Sequence, residues 1–255
     1  METVEYGGNT SCVEVALDDG TVLVFDAGTG IRGLGAELMS RGARHIHLLL
    51  THLHLDHLEG LRFFAPLWDQ GVTVDVWGPP STVLSLQERI ARSFSPPLFP
   101  IDLRDVPAEL SFHDVPRRPW TIGGATLTAH FVVHPGPTVA YRVDAAEASL
   151  AYVPDHEPSL TGIEGRSVDW ISGAAIASDA DLLLHDAQYS DEEYGDRVGW
   201  GHSSVADAVA FSSAVGARRL LLFHHEPLHG DEMLSRLEDE NQVTLAREGM
   251  VVTLP

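Results

Sequence analysis

Short apolar or alternating runs separated by turn residues dominate the chain. Two-residue alternation and brief apolar runs are typical of strands, whereas apolar residues three or four apart are typical of helices. These patterns predict strands over 13–17, 21–25, 45–50, 72–77, 110–115, 125–133, 139–143, 150–153, 182–184, 220–223 and 250–254. They predict helices over 31–41, 58–68, 82–94, 203–215 and 229–240. Strands interspersed with helices indicate a mixed α/β class.

Three of the apolar runs share one plan, because each is followed by residues that can bind a metal. Leu48–Leu50 precedes Thr51 and His52, Leu182–Leu184 precedes His185 and Asp186, and Leu220–Phe223 precedes His224. Ligand sites in α/β folds lie where the ends of strands converge. We therefore expect these three strand ends to face one cleft.

The first of these strand ends carries three histidines and one carboxylate within six positions. They are His52, His54, Asp56 and His57. Neutral imidazole and carboxylate are preferred ligands of zinc and similar metals. If the chain stays extended, His52, His54 and Asp56 share one face, with His57 beside them. No packing requirement explains this pattern, so the sequence predicts a metal site here.

Further candidate ligands are spread along the chain. They are His134, Asp155, His224 and His225. Each is unremarkable alone, since a histidine before Pro-Gly, such as His134, is usually a turn residue. Successive side chains of an extended chain point to opposite faces, so only one of His224 and His225 is expected to bind a metal. Asp26 and Glu59 are explained equally well as acids that hold imidazoles and as a turn residue and a helix-start acid.

Length and charge narrow the classes of function. With 255 residues and no linker-like segment, we expect a single domain over residues 1–255. The formal net charge of −21 repels nucleic-acid backbones, and no basic patch offsets it. Long nucleic acid is therefore a poor candidate substrate, which favours a small molecule. Apolar segments such as 63–68 fit either a homodimer interface or core packing, and the sequence leaves both interpretations open.

The remaining composition bears on location. No apolar run is long enough to span a bilayer, and the N-terminus lacks the pattern of a signal peptide. The single cysteine, Cys12, cannot form an internal disulfide, which fits a reducing compartment. We therefore expect a cytoplasmic protein with no membrane partner.

The motifs, taken in order, resemble those of the metallo-β-lactamase superfamily. The similarity runs from Tyr6-Gly7-Gly8-Asn9-Thr10-Ser11 to the region of His224, and the His-x-His-x-Asp-His run at 52–57 is its most specific part. This resemblance implies a four-layer αββα sandwich of the α/β (α+β) class. It also implies a dinuclear metal site along one edge of the sheets.

Carried over residue by residue, the resemblance implies a complete ligand set for two divalent metal ions, with zinc favoured over manganese or iron. His52, His54 and His134 would hold one ion, Asp56, His57 and His224 the other, and Asp155 would bridge both beside a hydroxide. His224 is preferred to His225 because it follows its strand where the family has its ligand.

Within the superfamily, the pattern resembles the phosphodiesterase branch. Asp155 stands where true β-lactamases carry a cysteine. His185-Asp186-Ala187-Gln188-Tyr189 and Gly201-His202-Ser203 resemble a signature of tRNA 3′-processing endonucleases and cyclic phosphodiesterases. That signature implies that Asp186 orients His202, which protonates the leaving oxygen. In the mechanism that we expect, Asp56 also orients the hydroxide.

The resemblance leaves the substrate open. The long basic arm that such endonucleases use to grip tRNA has no counterpart in this sequence, which favours a small phosphodiester such as a cyclic nucleotide or cyclic phosphate. One alternative is a lactonase or thioesterase on the same metal site. Another is a non-catalytic, metal-stabilised sensing module.

Overall fold

The computed structural model describes residues 2–163 and 165–254. These residues form two compact units. The N-terminal unit comprises Asn9–Pro116 and Ile122–Gly124, and the C-terminal unit comprises the residues up to Gly8, Arg117–Thr121 and the chain from Ala125 onward. The expectation of a single domain over the whole chain stays a prediction.

The N-terminal unit is built on a five-stranded sheet with the order β1-β2-β3-β4-β5. Its strands are β1 (Val13–Ala16), β2 (Val22–Phe25), β3 (His45–Leu49), β4 (Thr73–Gly78) and β5 (Glu109–Asp114). β1 and β2 form an antiparallel hairpin, and the other neighbours are parallel. Two helices, α1 (Ile31–Ser40) and α2 (Leu86–Ala91), belong to this unit. Ile46 and Leu48 of β3 lie in one apolar core with Ile31 and Leu38 of α1.

The second sheet has six strands in the order β11-β10-β9-β8-β7-β6. They are β6 (Trp120–Ile122), β7 (Ala125–Phe131), β8 (Val139–Ala145), β9 (Ala148–Val153), β10 (Leu182–Asp186) and β11 (Leu220–Phe223). β7, β8 and β9 are antiparallel, whereas β9, β10 and β11 are parallel. The C-terminal unit also carries four helices: α3 (Ala174–Ala177), α4 (Asp191–Tyr194), α5 (Val205–Val215) and α6 (Asp231–Asn241). Two mixed sheets with helices confirm the predicted α+β class.

Two predicted helices differ from the structure. The segment 58–68 forms separate 3₁₀ turns, Leu61–Phe63 and Ala65–Trp68, after a first turn at Leu55–His57. Pro66 has no N–H to donate, so a continuous α-helix would lose a bond there. The predicted helix over 82–94 is shorter, because Ser85 and Glu88 form a capping box that starts α2 at Leu86.

The predicted strand over 250–254 is wrong. The chain there forms no strand within the described residues, and Val251 is 88% exposed. An apolar sequence becomes a strand only where a partner strand or a buried face exists.

The short elements β6, α3 and α4 were not predicted from the sequence. In the part of the chain that the structure covers, no helix combines the length and apolar character needed to cross a membrane.

Candidate active site

The predicted ligand cluster of the N-terminal unit lies directly after β3. The rings of His52 and His54 are 4.4 Å apart, and those of His52 and His57 are 4.3 Å apart. The extended chain ends at His54, and a 3₁₀ turn over Leu55–His57 follows it. The sequence pattern places Asp56 on one face with His52 and His54 if the chain stays extended. In the structure the extended chain does not reach Asp56. The turn instead brings an oxygen of Asp56 to 3.4 Å from Nε2 of His57.

Asp26, at the end of β2, fixes two of these rings. Its buried carboxylate accepts hydrogen bonds from Nδ1 of His57 at 2.9 Å and from the backbone N–H of Thr51 at 2.8 Å. The Thr51 hydroxyl also donates to Asp26 at 2.9 Å and accepts from Nδ1 of His52 at 3.0 Å. Holding Nδ1 of each ring leaves Nε2 as the nitrogen for a ligand bond. Of the two interpretations that the sequence left for Asp26, an acid that holds imidazoles or a turn residue, the structure supports the first. Among the described residues, no imidazole donates a hydrogen bond to the carboxylate of Glu59.

Two glycines allow the chain to pass close to this cluster. A Cβ atom at Gly28 would overlap the backbone oxygen of Asp56, and one at Gly60 would overlap the backbone oxygen of Gly28. The backbone also pairs here, since the N–H of Ala27 donates to the oxygen of His57 at 2.8 Å. The glycines are thus required by tight packing around the cluster rather than by turn formation alone.

In the C-terminal unit, Asp155 lies between two histidines that come from distant parts of the chain. Oδ2 of Asp155 is 3.6 Å from Nε2 of His134, and Oδ1 is 3.5 Å from Nε2 of His224. Asp155 is only 1% exposed. The Nδ1 atom of His134 donates to the backbone oxygen of Gly201 at 2.8 Å, which again leaves Nε2 for a ligand bond. This carboxylate therefore presents one oxygen to each of two imidazoles.

His224 reaches Asp155 through an uncommon backbone conformation. Its φ of 59° lies in the left-handed region, which costs energy for a residue other than glycine and is often found at functional sites. His225 is half-buried, and desolvation followed by the nearby His224 and His229 lowers the pKa of His225 to about 4. Of the two candidates, His224 is the one beside Asp155.

The pair suggested for proton transfer is in direct contact. Nδ1 of His202 donates to Oδ2 of Asp186 at 2.7 Å. Asp186 is fully buried and also accepts from the backbone N–H groups of His156 at 2.9 Å, Gln188 at 2.9 Å and Ser203 at 3.3 Å. Four donors therefore hold this carboxylate, and it in turn fixes the His202 ring with Nε2 directed away from Asp186.

The His202 ring lies next to the histidines around Asp155. It stacks on His224 with ring centres 5.1 Å apart and meets His134 edge-on at 4.9 Å. A proton carried on His202 is thus close to a group that the two other histidines and Asp155 could bind.

Glu157 positions the loop before His202, a role that sequence reasoning missed. Its Oε1 accepts from the Tyr194 hydroxyl at 2.9 Å and the Gly199 N–H at 2.8 Å, and its Oε2 accepts from the Gly201 N–H at 2.8 Å. The only sequence signal was an acidic residue two positions after Asp155, which does not by itself indicate a contact forty residues away.

A second missed feature is a buried histidine pair behind Asp186. Nδ1 of His156 donates to Nε2 of His185 at 2.9 Å, and Nδ1 of His185 donates to the backbone oxygen of Asp186 at 2.8 Å. Burial lowers the pKa of His185 to about 4 and the pKa of His156 well below its usual value. Both rings are therefore neutral near pH 7 and stiffen the strand end that carries Asp186.

The donor distances test whether these residues fit a metal. Ligand atoms about 2.1 Å from a tetrahedral ion lie about 3.4 Å from each other. The pairs at His57–Asp56, His134–Asp155 and His224–Asp155 are separated by 3.4, 3.6 and 3.5 Å. These distances are too long for good hydrogen bonds. They are close to the separation of two atoms that share an ion, so the residues fit a divalent metal such as zinc.

Comparisons with known proteins identify the family of the chain. The family model of the beta-lactamase superfamily domain matches residues 21–225. Ribonuclease Z of Haloarcula marismortui is 25% identical, with 95% of this chain and 90% of that protein covered. Uncharacterized protein Rv1339 of Mycobacterium tuberculosis is 31% identical, with coverage of 80% and 70%.

Solved structures share the fold at low sequence identity. The short form of human tRNase Z superimposes with a TM-score of 0.68 at 20% identity, covering 100% of this chain and 96% of that one. A diphosphatase from the PhnP family also gives 0.68 at 19% identity, covering 96% and 85%. These matches confirm the metallo-β-lactamase fold. The chain is a metal-dependent hydrolase that belongs to the metallo-β-lactamase superfamily, in the branch that includes the ribonuclease Z proteins and related phosphodiesterases.

Proposed function

We propose that this hydrolase is a phosphodiesterase that holds two divalent metal ions and cleaves a small phosphodiester, such as a cyclic nucleotide or a cyclic phosphate. The observation that carries the proposal is the environment of Asp155. A buried carboxylate with one imidazole nitrogen 3.6 Å from one oxygen and another 3.5 Å from the other is suited to bridging two ions.

The proposed ligands follow the order of the superfamily and the local arrangement within each unit. One ion would be held by His52, His54 and His134, the other by Asp56, His57 and His224, and Asp155 would contribute to both. Imidazole and carboxylate ligands favour zinc, with manganese or iron as alternatives. When bound, the two ions supply an activated water and neutralise charge on the phosphoryl oxygens. The partly exposed carboxylate of Asp56 is proposed to orient that water.

His202 is the proposed proton donor to the leaving oxygen. Its Nδ1 is held by Asp186 at 2.7 Å, so Nε2 is the atom from which a proton can leave. The ribose oxygen released from a cyclic nucleotide is a poor leaving group and gains most from protonation. A lactone or thioester needs this help less, so the pair of His202 and the buried Asp186 favours phosphodiesters over those substrates.

The charge of the chain favours a small substrate. Its 16 basic residues are all arginine, and the formal net charge is −21. One of them, Arg197, lies 4.8 Å from the ring centre of Trp200 and 5.9 Å from that of Tyr189, whose ring centre is 6.0 Å from His202. An arginine beside Tyr189 suits one phosphate, whereas a long polyanion would be repelled by the acidic surface.

RNA is the second candidate substrate, because ribonuclease Z relatives align over nearly the whole chain. Their names do not match our expectation that long nucleic acid is a poor substrate. The purified, metal-loaded protein should be assayed on a cyclic nucleotide, bis(p-nitrophenyl) phosphate, a lactone and a tRNA precursor with a 3′ trailer. We expect the cyclic nucleotide to give the highest kcat/KM among the natural bond types. A higher kcat/KM on the tRNA precursor would support the second candidate instead.

A His202→Ala variant separates proton donation from metal binding. We expect its kcat on the cyclic nucleotide to fall about 10²–10⁴-fold, because a positioned acid contributes that much. The loss on a p-nitrophenyl ester should be much smaller, and the metal content should not change. His130→Ala, which removes an exposed histidine on β7, is the matched control. Equal losses on both esters would contradict the proton-donor role.

A further inference from the structure

A second group of metal-type side chains lies on the sheet of the N-terminal unit, apart from the residues discussed so far. His45 and His47 are on β3, Asp75 is on β4 and His113 is on β5. Ile46 lies in the apolar core, so alternation places the two β3 histidines on the opposite face of the strand. The parallel register pairs His47 with Asp75, and His113 is two residues beyond the partner of Asp75 on β5. Three neighbouring strands thus bring four such side chains onto one face.

The side chains converge on one carboxylate. Nε2 of His45 is hydrogen-bonded to Oδ2 of Asp75 at 2.6 Å, a bond that a shared ion would replace. Nδ1 of His47 lies 3.6 Å from the same oxygen. One ligand atom from each of these three residues falls within 4.8 Å of the others. Nε2 of His113 donates to the second oxygen, Oδ1, at 2.8 Å, and its ring stacks on Trp77 at 4.3 Å. His113 therefore fixes the orientation of the Asp75 carboxylate through its second oxygen.

His47 is the least expected member of the group. Its Nδ1 is buried, and within the described residues it has no hydrogen-bond partner. Its 3.6 Å distance to Asp75 is too long for a hydrogen bond but close to the separation of about 3.4 Å between two ligands of a tetrahedral zinc ion. A buried imidazole nitrogen without a partner costs free energy. A bound ion would remove that cost.

We propose that His45, His47 and Asp75 form a separate binding site for a divalent transition-metal ion, with Zn²⁺ as the best fit, and that His113 positions Asp75. Two imidazoles and one carboxylate suit zinc and disfavour magnesium or calcium, which require oxygen ligands. The side chain of His45 is 55% exposed, so a water can complete the coordination and the ion can enter from solvent. Because the ligands come from β3 and β4, the ion joins neighbouring strands and stabilises the sheet.

Zinc stoichiometry measured by equilibrium dialysis and elemental analysis tests this site. We expect the wild-type protein to hold one more zinc per chain than Asp75→Asn, whatever the number held elsewhere. His113→Ala should keep the extra zinc but bind it about 10–100-fold more weakly, as expected for a group that only orients a ligand. His130→Ala, the exposed-histidine control, should match the wild type. Magnesium alone should give no difference between wild type and Asp75→Asn.

The variants need a check of folding and of the catalytic residues. Far-UV circular dichroism and diester hydrolysis should match the wild type in every variant, since none of the four residues belongs to the proposed catalytic set. If Asp75→Asn does not fold, His45→Ala replaces it, because that side chain is more than half exposed and its removal disturbs no packing. Equal zinc content in the wild type and in the folded variant at every free zinc concentration would overturn the proposal.

Discussion

Replacing Asp186 with asparagine tests how the chain holds its proposed proton donor. The change keeps the size of the side chain but replaces one accepting oxygen with an NH₂ group. Oδ2 of Asp186 accepts from His202 at 2.7 Å and from the His156 N–H at 2.9 Å. Oδ1 accepts from the N–H groups of Gln188 at 2.9 Å and Ser203 at 3.3 Å. Whichever way the new amide turns, its NH₂ group faces two donors.

The expected cost follows from that geometry. Two hydrogen bonds are lost and two buried donors keep no acceptor, at about 1–3 kcal/mol for each unsatisfied group, so unfolding should become easier by about 2–6 kcal/mol. Catalysis should suffer separately, because an amide replaces the carboxylate beside the proposed proton donor, His202. We expect kcat on a cyclic nucleotide to fall about 10²–10⁴-fold, with a much smaller effect on a p-nitrophenyl ester.

Chemical denaturation and steady-state kinetics on the same preparation separate the two effects. Asp181→Asn is the control, because Asp181 accepts from the backbone and hydroxyl of Ser149 and from Arg218 but does not contact His202. That variant should lose stability and keep its kcat. If Asp186→Asn loses stability like the control yet retains kcat on the cyclic nucleotide, the reasoning about His202 is refuted.

Three further predictions use other buried groups. Asp26→Ala should weaken metal binding about 10–100-fold in a chelator competition, because the His57 ring loses the carboxylate on Nδ1; unchanged affinity would contradict this. Burial, and then the charges of Asp26 and Glu14, raise the pKa of the Cys12 thiol, so iodoacetamide should alkylate it far more slowly in the folded than in the urea-unfolded chain. Burial lowers the pKa of His185 from 6.5 to about 4. Between those pH values the unfolded state binds more protons than the folded state, so the free energy of unfolding should fall by up to about 3 kcal/mol as the pH decreases. His185→Gln should flatten that slope in denaturation midpoints.

The secondary structure could be predicted where a single hydrophobic pattern determined which residues are buried. The strand predicted over 220–223 is β11, Leu220–Phe223, because Leu222 lies in an apolar core of the C-terminal unit. The helix predicted from residue 31 is α1, because Ile31 and Leu38 lie in the core of the N-terminal unit. The segment 58–68 could not be predicted in the same way. Its path depends on the close approach of Gly60 to the oxygen of Gly28, a contact between residues 32 positions apart that no local pattern encodes.

The candidate site divides along the same line. His52, His54 and His57 were recognisable because three imidazoles in one short segment have no packing explanation. The role of Glu157 could not be predicted, since it depends on where the loop from Tyr194 to Gly201 folds back. The metal ligands themselves stay predictions, although the donor distances within each unit support them.

The acceptor that binds Nδ1 of each imidazole determines which ring nitrogen stays available. Asp26 holds Nδ1 of His57, and a backbone oxygen holds Nδ1 of His134, so both rings offer Nε2 as a neutral ligand nitrogen. Asp186, whose carboxylate is fixed by three backbone N–H groups, holds Nδ1 of His202 in the same way, so this ring also presents Nε2. Counting histidines in the sequence therefore locates the candidate site, whereas the buried acceptors fix which nitrogen each ring presents.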